Sequence, residues 1–111
     1  MAAPQDTLLV ITNLPDRASA EWLADALIAR RVAACVNVMA PCRSVYQWQG
    51  SVEHADEHPV FVKTPADRYD ALQHAIRELH PYELPEIIAV RVVAGLPAYL
   101  EWVVSETRPK A

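Results

Sequence analysis

Between Ala33 and Trp48 the chain runs through sixteen residues of strand-forming character interrupted only at Ala40-Pro41. Extended at ~3.3 Å per residue, such an arm would reach about 50 Å. A domain of this chain's size has a radius of gyration of only about 13 Å. Gln49-Gly50-Ser51 reverses the chain, and a return arm follows from Val52 to Lys63. The predicted hairpin must therefore bend sharply or overhang its own domain. Prolines mark each limb: a bulge or bend is expected at Ala40-Pro41, and Pro59 is expected to interrupt pairing of the return arm, because proline cannot donate to a ladder. An overhanging ribbon carrying Val45, Tyr46, Trp48 and Val52 leaves apolar surface and edge groups uncovered. A closed homo-oligomer, in which the ribbon adds to a neighbour's sheet, is the predicted consequence.

The remaining segments supply an ordinary α+β frame. Leu8 to Thr12 reads as a first strand closed by Asn13-Leu14-Pro15-Asp16. Ala20, Leu23, Ala24, Leu27 and Ile28 then form one helical stripe, with Asp16 or Ser19 as N-cap and Arg30-Arg31 at the C-terminal end. Thr64-Pro65-Ala66-Asp67 has the spelling of a second helix start, with Thr64 as N-cap. That helix presents Tyr69, Leu72, Ile76 and Leu79 and stops at His80, since Pro81 disfavours helical geometry in the residue before it. A last core strand is expected over Glu86 to Val93, then a short helix carrying Tyr99, Leu100, Val103 and Val104. The order is a ferredoxin-like βαββαβ sandwich with an extended hairpin between its second and third strands and a C-terminal helix. Residues 7–106 form one domain, flanked by flexible ends at 1–6 and 107–111.

Composition narrows the function. Ten basic and fourteen acidic residues give a net charge of −4, and the basic residues are scattered, which argues against a nucleic-acid partner. The run Leu8 to Ile11 is too short to span a membrane and no basic leader precedes it, so a soluble, cytoplasmic protein is expected. Cys35 and Cys42 are spaced for neither dithiol chemistry nor a zinc knuckle and read as structural or idle thiols.

The densest chemistry lies in His80-Pro81-Tyr82-Glu83-Leu84-Pro85-Glu86, where two prolines stiffen a segment bearing an imidazole, a phenol and two carboxylates. It serves either as a rigid display of side chains or as a stiff connector. His54-Ala55-Asp56-Glu57-His58 has the spelling of an inverted zinc-peptidase motif, but that chemistry needs a helix and this segment belongs to a β arm followed by Pro59. No serine sits in a nucleophile elbow, and two isolated glycines make no phosphate loop. Lys63, ending a strand just before a helix, is either an anion contact or a snorkelling lysine.

Val32-Ala33-Ala34-Cys35-Val36-Asn37, Tyr46-Gln47-Trp48-Gln49-Gly50, Val62-Lys63-Thr64 and His80 to Ile87 occur in that order, and together they closely resemble the CutA family of divalent-cation tolerance proteins, over about Leu8 to Ser105. The resemblance extends to Asn13-Leu14-Pro15-Asp16 and Leu100-Glu101-Trp102. It implies a ferredoxin-like subunit in a tight homotrimer, built like the PII signalling trimers, with a role in tolerance of divalent metals, copper above all, and no established catalysis. Two of three copper-ligand positions proposed for a family member fall on Thr12 and Leu79, which leaves His80; Glu83 and Glu86 are the candidates to complete a weak site. Three or four ligands are the norm for tight binding. No cofactor is required, and Cu(II) or another divalent cation is the candidate metal. The family's intersubunit cleft maps to Trp48, Lys63, Tyr82 and Glu83, an aromatic wall with a cation and a carboxylate suited to a small anionic or zwitterionic ligand. The favoured expectation is a non-enzymatic trimer of metal-ion response; the rivals are a PII-like metabolite sensor, an enzyme using Lys63, Tyr82 and Glu83, and a structural trimerisation module.

Overall fold

A computed structural model describes residues 2–109. Five strands and three helices follow in the order β1 (Thr7–Leu14), α1 (Arg17–Ala29), β2 (Cys35–Val38), β3 (Cys42–Trp48), β4 (Ser51–Pro65), α2 (Tyr69–Leu79), β5 (Ile88–Arg91) and α3 (Pro97–Ser105), with a 3-10 turn at Ala66–Arg68 leading into α2. The sheet runs β2-β4-β1-β5, every described pairing is antiparallel, and β3 pairs only with β4. The two halves of the long first arm are β2 and β3, and the return arm is β4.

Strand alternation decides which face is covered. Val10, Thr12, Leu14, Val60, Val62 and Thr64 are fully buried or nearly so, and the apolar members meet Leu23 and Leu27 of α1 and Leu72 and Ile76 of α2. Asp16 caps α1, its carboxylate accepting from the Ser19 N–H at 2.7 Å. Ala24 and Ile28 lie at the margin of the expected stripe, with Ile28 exposed. His80 leaves α2 in extended geometry before Pro81, as expected. The C-terminal helix α3 packs on β4 and β1 and buries Val103.

Several sequence expectations need correction. Thr64 does not cap α2: it is the last but one residue of β4, and its hydroxyl donates to the Val32 carbonyl at 2.8 Å in the core. The free amides at that helix start are met instead by the N-terminal segment, where the Ala66 N–H donates to the Asp6 carbonyl and the Asp67 N–H to that of Pro4. Pro59 does not break β4, which pairs with β1 without a gap through Asn13↔Pro59 and Leu14↔His58. The flaw sits on the other limb. Between Val38↔Val60 and Cys42↔Glu57, Met39-Ala40-Pro41 face only His58-Pro59, one extra residue, which is a bulge where Pro41 predicts it. The last strand is shorter than expected and is an edge rather than a core element, with Ile88 and Val90 each 50% exposed. Thr107, expected in the flexible tail, is buried, and Arg108 forms a two-bonded ion pair with Asp67. The expected flexible ends also include Met1, Lys110 and Ala111, which lie outside the described residues.

The ribbon does overhang. β1 covers β4 only as far as His58, so from Ser51 to Glu57 its one strand partner among the described residues is β3. The molecule is correspondingly elongated, 45 × 27 × 23 Å.

Candidate functional site

Where the ribbon leaves the body, the strap Pro81–Glu86 folds back beside it, and together they enclose a cleft of about 840 Å³. The ribbon contributes Ser44, Val45, Tyr46 and Trp48 of β3 and Glu57 of β4; the strap contributes Tyr82, Glu83 and Glu86; Asn13 closes the base.

One imidazole sets the position of the strap. Nδ1 of His80 accepts from the Tyr82 N–H at 3.1 Å, so Nε2 carries the proton and donates to the Asn13 carbonyl at 2.7 Å. Burial holds this imidazole below its ordinary basicity, outweighing the Asn13 hydrogen bond and the charge of Glu57. The ring packs on that of Tyr82 with centroids 4.8 Å apart. Thus aligned, the Tyr82 hydroxyl donates to Glu57 Oε2 at 2.9 Å across the cleft. Burial first, and the adjoining carboxylate second, push the phenol well above its usual range, so it stays protonated and remains a donor.

The structure thus brings Trp48, Tyr82 and Glu83 of the expected ligand site together, and Glu86 with them. Lys63 is not among them in this chain. It pairs with Leu9 and Cys35 in the body of the sheet, and its ammonium engages the Asn37 side chain. Distance along β4 separates it: Lys63 lies six residues beyond Glu57, about 20 Å at the rise of an extended strand. Glu57 is a site residue that the sequence does not single out. It sits inside the peptidase-like spelling around His54, and no local pattern distinguishes it from Glu53 or Asp56 of the same strand.

The metal expectation can be tested on donor availability. Both His80 nitrogens are engaged, the Thr12 hydroxyl is buried without a partner, and Leu79 packs against the core. Glu83 and Glu86 are exposed, and no group of three or more His, Cys, Asp or Glu side chains among the described residues converges to hold an ion. The described residues of this chain do not form a metal site.

Known proteins share this architecture. The family model described as CutA1 divalent ion tolerance protein matches residues 8–106. The divalent-cation tolerance protein CutA of Thermus thermophilus is 36% identical over 99 residues, covering 89% of this chain and 96% of that protein. Mouse protein CutA is also 36% identical, over 100 residues covering 90% of this chain, and there the chain spans 56% of the relative's length. Among solved structures, CutA from Xylella fastidiosa superposes with a TM-score of 0.90 at 41% identity, covering 93% of this chain and 99% of that one. CutA1 from Oryza sativa gives 0.90 at 33% identity, covering 95% and 96%. The mixed α+β fold, with its antiparallel sheet and three helices, is that of these proteins, and the chain belongs to the CutA1 divalent ion tolerance family.

Proposed function

We propose that this chain is the subunit of a non-enzymatic, cytoplasmic homotrimer of ferredoxin-like architecture that acts in tolerance of divalent metal ions, copper included, binding metal weakly or indirectly. The observation that carries the reading is the overhanging ribbon. Val45 and Val52 are 60% and 56% exposed on it, and its strands β3 and β4 carry free edges. A second apolar surface lies elsewhere, at Ile88, Val90, Val93 and Leu96 around the edge strand β5. A ribbon of one copy meeting a different patch of the next makes a heterologous contact, which gives a ring, not a twofold dimer, when the rotation between copies closes. The sheet order β2-β4-β1-β5 supports the ferredoxin-like part. No helix among the described residues is long and apolar enough to cross a membrane. The family match supplies the link to divalent cations.

The test is complementation. In a host sensitised to copper by loss of its own CutA1-family protein, expression of this chain should restore growth at raised copper. Failure to restore growth with any divalent metal, despite soluble expression, would count against the reading. A second reading, a sensor of a small metabolite, is favoured by the 840 Å³ cleft, a volume typical of small-molecule sites.

A further inference from the structure

The two ends of the ribbon each fix its register, and they disagree by one residue. On the body side Val38 faces Val60, and β4 runs unbroken from there back to Ser51. At the tip Trp48 faces Ser51 across Gln49-Gly50, whose φ values of 50° and 84° are left-handed; this two-residue turn sets the pairing of β3 from the far end. The spare residue is taken up neither in the turn nor along β3. It lies at Met39-Ala40-Pro41, opposite His58 and Pro59, and His58 is also the last residue of β4 that β1 covers. The bulge thus stands where the ribbon leaves the body.

Its polar groups are held in place. The Met39 N–H donates to the Pro59 carbonyl at 2.9 Å, and Nδ1 of His58 donates to the Met39 carbonyl at 3.2 Å. Pro41 on one limb and Pro59 on the other restrict the backbone further. A bulge bends its strand and raises the local twist; braced in this way, the bend is a set angle rather than a loose joint. The direction of the ribbon decides where a second copy must stand to meet it, and a heterologous contact closes only when the rotation between copies allows it. We propose that the bulge, with His58 as its positioning residue, aims the ribbon at a second copy of this chain, so that the number of residues on this limb, not their identity, decides whether the assembly closes. The proposal rests on the assembly reading and names what sets its geometry.

Deletion of Ala40 tests it. Met39 and Pro41 would then face His58 and Pro59 two against two, which keeps every strand pair of the hairpin and the face of every side chain on it, and removes only the bend. On the full chain, the deletion variant should keep the far-UV spectrum and cooperative unfolding of the unaltered chain, while light scattering shows its mass moved to that of a monomer or an open series of polymers. Ala40→Gly keeps the residue count and should keep the mass. Retention of the unaltered chain's assembly mass after the deletion overturns the proposal, as does a changed mass in Ala40→Gly. If the deletion variant does not fold, His58→Leu carries the test: its assembly should come apart at a protein concentration about tenfold higher than that of the unaltered chain, and an unchanged concentration dependence overturns the proposal. The two readings stay distinguishable, because an unaltered chain that is itself a monomer sinks the assembly and this proposal with it, whereas an oligomer whose mass survives the deletion sinks only the proposal.

Discussion

His80 does two jobs that a surface histidine would not. Its ring joins the end of β1, through Asn13, to the first turn of the strap, through Tyr82, and so fixes where the cleft's phenol points. Because the ring is buried and its pKa lies below the ordinary 6.5, the folded protein binds this proton less readily than the unfolded chain. Stability from this group is therefore complete above about pH 6.5 and falls as pH drops below that value toward the depressed folded pKa. At fixed protein concentration, the melting temperature should decline between pH 7 and 5, with a slope bounded by about 1.4 kcal/mol per pH unit for one proton. His80→Gln should flatten that decline over the same range; an unchanged profile in the variant would assign the effect to other groups. The local sequence shows that 80–86 is stiff and chemically loaded, because prolines act through covalent geometry that needs no tertiary context. It cannot show that both imidazole nitrogens are already in use, nor that Glu57, distant in sequence by twenty-five residues from Tyr82, closes the cleft.

At the scale of elements, the hairpin is legible in the sequence and its details are not. The bulge at Met39-Ala40-Pro41 follows from a missing donor, which sequence reveals. Pro59 carries the same missing donor, yet β4 passes through it intact, its carbonyl accepting the Met39 N–H at 2.9 Å. Which side of a strand a proline's nitrogen faces is decided by register, not by residue type. Thr64 shows the same limit: a capping spelling lost to a buried carbonyl at Val32 that only the folded sheet brings near. The ribbon also gives a discriminating mutation. Val45 and Val52 are largely exposed in one subunit, so Val45→Glu with Val52→Glu should change the stability of an isolated fold by only about 0.5 kcal/mol per site. If neighbours cover these residues, the same pair should split the assembly; retention of the full assembly mass would show that the ribbon tip lies outside the interface.

For the whole molecule, several large apolar side chains are uncovered in the single chain. Val93 is 94% exposed, Leu84 and Leu96 are each 71% exposed, and the ribbon adds Val45 and Val52. In the proposed assembly these residues are the ones a neighbouring copy would cover. The long arm that predicts this assembly is legible in the sequence alone, since the number of strand residues and the rise per residue set the overhang. The number of copies is not legible there, because closure depends on the angle between two patches of one subunit. The direct measurement is sedimentation equilibrium of the purified chain at micromolar concentration. A single species of about three times the 12.4 kDa chain mass is the predicted result; a monodisperse species at the mass of one chain would contradict it.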